Sequence, residues 1–219
     1  MRGAAVKTKL AVLAVVFFMS GMLMVAKADS VSLFSSAVTT TNNTASPTQN
    51  LDPNSVWAGP LPGSSWVSNA TTGNILAPGF IVVPNGTAVT FTATFTLTGT
   101  VTSAMLNVFA DDTASVVVNG TQIFGARLGP FPQCAAAPIG CIASTEGTFT
   151  TSQLAPYLKD GVNNIQFTVF QEGSASFGLD YAGTINTVNT VPEPGTMLLL
   201  GTGLLGVAGA TRRKLRGRH

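Results

Sequence analysis

Leu106-Asn107-Val108-Phe109-Ala110-Asp111-Asp112-Thr113-Ala114-Ser115-Val116-Val117-Val118-Asn119-Gly120-Thr121-Gln122-Ile123-Phe124 decides the fold. Ala104–Ala110 is an apolar stretch with the length and flanks of a strand. Asp111-Asp112 interrupts it as a turn, because aspartate side chains accept local backbone N–H groups. Ser115–Val118 and Thr121–Phe124 then flank Asn119-Gly120. Two apolar runs around Asn-Gly predict a β-hairpin, since a type I′ turn needs positive φ at both central residues.

The same pattern extends in both directions. Val89, Phe91, Ala93, Phe95 and Leu97 alternate with threonines, and a period of two gives a strand one buried and one wet face. Downstream, Gly147–Thr150 reads as a strand. A hydroxyl of Thr151 or Ser152 caps a short helical turn in which Leu154, Tyr157 and Leu158 share a face. Asp160-Gly161 turns the chain into Val162–Gln171, with Ile165, Phe167 and Val169 inward. Ser176–Asn186 sets Phe177, Leu179 and Tyr181 on one side and Gly178, Asp180 and Ala182 on the other. Residues 29–79 form an irregular lead-in rich in Ser, Thr, Asn, Pro and Gly, with short strands near Ser30–Phe34 and Trp66–Val67. Roughly seven or eight turn-punctuated strands with few helices predict an all-β sandwich, its core at 80–186.

The ends are of different composition. Arg2, Lys7 and Lys9 precede the apolar run Leu10–Val25, and Ala26-Lys27-Ala28 supplies the small-x-small pattern of a signal-peptidase site. Residues 1–28 therefore read as a helical signal peptide cut after Ala28, and an N-terminal membrane anchor is the alternative. At the other end a linker over 187–196 carries Val191-Pro192-Glu193-Pro194. A glycine-rich hydrophobic helix follows at 197–211, and Arg212, Arg213, Lys214, Arg216 and Arg218 make 212–219 a basic cytoplasmic tail. The order predicts an exported ectodomain held transiently in the inner membrane.

Between Asp29 and Thr190 the only cations are Arg127 and Lys159, against eight carboxylates, a net charge of −6. A domain so poor in Lys and Arg has no electrostatic footprint for nucleic acid. Cys134 and Cys141 are the only cysteines. In an exported chain they read as a disulfide closing a small loop.

The C-terminal segment, on Pro192-Glu193-Pro194, the apolar run and the Arg-rich end, resembles the PEP-CTERM sorting signal of Gram-negative bacteria. The resemblance covers 191–218. It implies an exosortase, a membrane cysteine protease, as the partner that recognises the Val191–Pro194 motif and cleaves at or near it. It also implies a surface or matrix protein of an organism that makes exopolysaccharide. An ordinary single-span anchor is the alternative. The run Leu106-x-Val108-x-Ala110-Asp111-Asp112 to Val116-x-Val118-Asn119-Gly120, with Leu154-x-x-Tyr157-Leu158 and Gly161-x-Asn163 to Val169, resembles the galactose-binding-domain-like jelly roll over about residues 88–185.

Enzyme chemistry is poorly provisioned. His219, the only histidine, lies in the tail, so no histidine base or triad is available to the ectodomain. Asp111 and Asp112, if strand-like, point to opposite faces and make no two-carboxylate site by themselves; Asp180 and Glu172 are the carboxylates available to join them in space. The pair reads as turn capping or as a structural calcium site, calcium being the one cofactor considered. Trp57, Trp66, Tyr157 and Tyr181 are the aromatics able to stack on a sugar, or alternatively core anchors. Asn42, Asn69, Asn85 and Asn119 begin Asn-x-Ser/Thr sequences and read as turn residues. The expectation is a non-enzymatic exported surface or matrix protein associated with exopolysaccharide, with a carbohydrate-binding module as the alternative.

Overall fold

The computed structural model describes residues 24–43, 47–129, 133–135, 138–173, 175–192, 199–208 and 210. The expected signal helix, Glu193, Pro194 and the basic tail lie outside them. Two compact units are present: Met1–Lys27 with Asn189–His219, and Ala28–Val188.

The larger unit is the expected all-β jelly-roll sandwich of two antiparallel sheets. The strands among the described residues are β1 (Met24–Phe34), β2 (Thr40–Thr41), β3 (Gln49–Asn50), β4 (Val67–Ser68), β5 (Ala88–Leu97), β6 (Thr100–Asp111), β7 (Thr113–Val118), β8 (Thr121–Phe124), β9 (Gly147–Thr150), β10 (Gly161–Phe170) and β11 (Gly178–Pro192), the first residues of β1 and the last of β11 belonging to the smaller unit. One sheet runs β3-β4-β11-β6-β9, with β1 also pairing β11; the other runs β2-β5-β10-β7-β8. From β5 to β11 the chain steps repeatedly between sheets, the winding of a jelly roll.

Alternation explains the packing. Val89, Phe91 and Ala93 of β5 lie opposite Val169, Phe167 and Ile165 of β10, and all six are buried. From the other sheet, Leu106, Val108, Leu179, Tyr181 and Ile185 complete the core. The ring of Phe167 stacks on Tyr181 at 4.7 Å, bridging the sheets. The Asn119-Gly120 hairpin forms as its sequence requires, with φ of 47° and 84° and Val118 opposite Thr121.

The outer face of the β11-containing sheet carries a second apolar cluster. Phe109, on the opposite face of β6 from Val108, packs with Trp57, Leu61, Trp66 and Cys141. The irregular lead-in is thus the cover of a sheet. Asp180, outward on β11, fastens it: its carboxylate accepts from the Ser35 hydroxyl and the Leu61 N–H, each at 2.8 Å.

Three local readings shift. A short helix, α1 (Thr151–Leu154), continues as a 3-10 turn. Its first residues are tied by Gln153, whose amide oxygen accepts the Thr150 N–H, while Thr151 bonds the backbone of Ala104 on β6. The cap residue is therefore Thr150 rather than Thr151 or Ser152. Of the face expected there, Leu154 is buried and Tyr157 is exposed. Strand β11 runs on to Pro192, six residues past the expected end of the sandwich at Asn186, because β6 and β1 supply it with partners. In the smaller unit residues 199–208 are helical, the expected C-terminal hydrophobic helix. No helix among the described residues is long and apolar enough to cross a membrane.

Candidate ligand cleft and sorting motif

The chain leaves one sheet at Asp111, the last residue of β6, and enters the other at Thr113, the first of β7. The peptide between Asp111 and Asp112 is cis. A cleft of about 400 Å³ opens at this step. The lead-in contributes Asn54, Val56 and Trp57; the end of β10 contributes Gln171 and Glu172; the disulfide loop contributes Cys134 and Ile142. Among the described residues, none of the lining side chains is basic.

The two aspartates do not diverge as a strand reading predicts. Their carboxyl groups hydrogen-bond to each other, because the pair forms the corner between sheets and not a stretch of pleated strand. Asp111 Oδ2 accepts the Trp57 indole N–H at 2.8 Å, and Asp112 Oδ2 accepts the Glu172 N–H at 2.7 Å. Burial pushes the Asp111 carboxyl up to about 9, with the hydrogen bond and charge of Asp112 adding to the rise and the indole opposing it. Burial also raises Asp112, against the hydrogen bonds from Asp111 and from the Glu172 backbone. At neutral pH the pair therefore shares a proton. Gln171, buried in the same wall, has its amide oxygen unpartnered.

A pH dependence follows. The unfolded chain releases the Asp111 proton near pH 4 and the folded chain holds it to about pH 9, so the native state binds more protons between those values. Stability must fall as pH rises through that window. In metal-free buffer, denaturant unfolding should show the domain losing at least about 1 kcal/mol from about pH 5 to pH 8, with Asp111→Asn removing most of the slope. A flat profile in the unmodified protein would rule out the shared proton.

Cys134 and Cys141 form the expected disulfide, with a Cα–Cα distance of 4.7 Å. Their sulfurs and the Asp111 carboxylate lie within 4.8 Å of one another. A disulfide sulfur is no thiolate, however, so this trio is not a soft-metal site. Asp111, Asp112 and Glu172 line the cleft with carboxylate oxygens, the kind of ligand a hard cation such as calcium takes, but the Glu172 carboxylate accepts the Gly129 N–H and, among the described residues, only Asp111 and the two sulfurs converge.

The aromatic candidates separate. Trp57 is 7% exposed and lines the cleft while donating its indole N–H to Asp111. Trp66, 1% exposed, lies 4.3 Å from the Trp57 ring and donates its N–H to Ala58 O. Tyr181 is buried with its hydroxyl on Thr40. Trp66 and Tyr181 therefore have no free face for a sugar; both complete apolar clusters that the lead-in covers. Tyr157 is 39% exposed and does not line the cleft. Of the extra carboxylates, Glu172 lines the cleft, its backbone N–H on Asp112 and its carboxylate accepting the Gly129 N–H, and Asp180 does not line it. Asn54, Gln171 and Ser176 escaped sequence reading, since only the tertiary path of the lead-in and the β10 exit brings them to the corner.

At the C-terminus, residues 190–214 match the model of the PEP-CTERM protein-sorting motif. The chain carries a PEP-CTERM sorting motif. Within it, Val191 and Pro192 end β11, and Ala26 and Ala28, the expected signal-peptidase residues, are exposed in β1. No curated protein matches the chain. Among solved structures it is similar to a family 35 carbohydrate binding module from Clostridium thermocellum, at 14% identity and a TM-score of 0.39, over 70% of this chain and 97% of that one. It is also similar to CBM35 from Paenibacillus barcinonensis, at 16% identity and a TM-score of 0.35, over 74% and 99% of the two chains. A family 35 module from an environmental isolate is a third, at 14% identity and a TM-score of 0.36, over 75% and 99%.

Proposed function

We propose that this protein is an exported, non-enzymatic surface or extracellular-matrix protein of a Gram-negative bacterium, freed of its signal peptide after Ala28 and sorted by an exosortase-type membrane protease at Val191–Pro194. The sorting-motif match at 190–214 carries this reading. The acidic ectodomain, without a histidine, supports a binding or structural role over catalysis. Association with exopolysaccharide belongs to the same proposal. Mass spectrometry of the exported protein should find a C-terminus near Pro192–Pro194. An intact Arg-rich tail on every exported molecule would mark a plain membrane anchor instead.

The corner cleft favours a more specific second reading, a carbohydrate-binding module. Asp111 and Asp112 hold between them a proton that a calcium ion is able to replace, in a cleft that Glu172 also lines. A bound calcium ion would supply positive charge and open positions for vicinal hydroxyls, and Trp57 would give the cleft an apolar edge. A glycan array probed with the exported protein should show binding that drops at least about tenfold, or 1.4 kcal/mol, in chelator and in the Asp111→Asn/Asp112→Asn variant. Absence of binding to any polysaccharide in calcium would remove this second reading and leave the sorting proposal standing.

A further inference from the structure

The disulfide loop brings three ligand atoms together beside the corner cleft. The sulfurs of Cys134 and Cys141 and a carboxylate oxygen of Asp111 lie within 4.8 Å of one another, and Cys134 Sγ is 3.4 Å from Asp111 Oδ1. A tetrahedral zinc ion, with sulfur at about 2.3 Å and oxygen at about 2.1 Å, sets neighbouring ligand atoms roughly 3.6–3.8 Å apart. The carboxylate oxygen and the Cys134 sulfur are already close to that spacing. The other oxygen of Asp111, Oδ2, accepts the Trp57 indole N–H at 2.8 Å. A ligating carboxylate is oriented in the same way, by an outer partner on the oxygen that faces away from the metal.

The frame around the sulfurs does not depend on the bond between them. Cys141 donates its N–H to Cys134 O at 3.0 Å, and Cys141 O accepts the Ala58 N–H at 2.7 Å. Ala110 donates its N–H to Gly140 O at 2.9 Å, which ties the loop to β6 one residue before Asp111. Once the S–S bond is opened, the sulfurs need to part by only roughly 1.7 Å to become neighbouring zinc ligands. Cys141 is fully buried and Cys134 is half-buried, so rotation of the Cys134 side chain supplies that movement.

We infer that this loop, in its dithiol form, is a zinc site, with Cys134 and Cys141 as thiolates and Asp111 as the third ligand. Water or a donor in the cleft takes the fourth position. A dithiol reductant supplies two electrons and two protons, opens the S–S bond to two thiols and itself closes to a disulfide. Zinc then displaces both thiol protons to solvent. Oxidation runs the other way, re-forming the S–S bond and expelling the ion. Thiolates select a soft cation, so calcium does not compete for them. The two sulfurs thus serve either as a covalent staple or as a metal site, never both.

Metal binding tests the site directly. Purified protein is reduced with dithiothreitol, desalted without oxygen and given cobalt or zinc alone. The dithiol form should take one cobalt ion per chain with a sulfur-to-metal charge-transfer band, and zinc should displace the cobalt. The disulfide form should bind at least about 100-fold more weakly. In the dithiol form Asp111→Asn should weaken binding at least about tenfold, while Glu146→Gln, a carboxylate outside the trio, should leave it unchanged. Equal affinity in the two redox forms, or no loss in Asp111→Asn, overturns the site. Thermal unfolding decides even where reduction loosens the loop. Zinc should raise the Tm of the dithiol form and leave that of the disulfide form where it was. An equal shift in both forms, or none in the dithiol form, also overturns the inference.

Discussion

Trp66→Ala should destabilise the domain by about 4 kcal/mol, the range for deleting a large buried aromatic. The indole is almost wholly enclosed, lies over Trp57 and stacks at 6.2 Å on Phe109, and its N–H is satisfied by Ala58 O. Truncation opens a cavity between the lead-in and the outer face of the sheet, which the disulfide loop on one side and β6 on the other prevent from closing. For a domain of this size the melting temperature should fall by roughly 8–16 °C. Urea unfolding monitored by the remaining tryptophan measures the loss. A change below about 0.5 kcal/mol would mean the ring stands in solvent and would reopen its candidacy as a sugar platform.

Asp180→Ala is expected to cost about 3 kcal/mol through a different mechanism. Burial raises the carboxyl, while hydrogen bonds from Ser64, the Leu61 backbone and Ser35 pull it back toward the charged form. Alanine strands those donors in a closed interface, and an unpaired buried donor costs its full desolvation. Because Ser35 and Leu61 belong to separate parts of the lead-in, the lead-in should loosen while the sandwich persists. Hydrogen exchange over residues 51–66 should rise more than exchange in β5 and β10. Asp180→Asn keeps one acceptor and should fall between the two. If alanine is tolerated within about 1 kcal/mol, the carboxylate does not fasten the lead-in.

Both expectations concern residues that the sequence marks ambiguously. Alternation made β5, β10 and the inward side of β11 legible, because a period of two maps directly onto a sheet face, and Asn119-Gly120 fixed a hairpin by its φ requirement alone. The lead-in was opaque for the opposite reason. Residues 29–79 have no period, so neither the burial of Trp66 nor the outward but covered position of Asp180 is encoded locally; both follow from the lead-in folding back on a sheet. The cleft was half legible. Asp111-Asp112 announced a polar corner, but the strand rule that set the two carboxylates on opposite faces fails where the chain changes sheets. Gln171 and Glu172 reach that corner only because β10 ends beside it. The disulfide needed nothing beyond two cysteines and an exported chain.

The eleven registered pairs between β6 and β11, from Asp111↔Gly178 to Thr100↔Val188, have a mechanical meaning. A load carried by the corner cleft enters β6 at its C-terminal end, while the route to the sorting motif leaves from the C-terminal end of β11. In an antiparallel pair those ends point in opposite directions. Tension between a held ligand and the cell surface would therefore slide the two strands along each other and strain all their hydrogen bonds together, instead of peeling them apart one at a time. A load applied at the corner and at the end of β11 would thus fall in shear on the whole β6–β11 ladder.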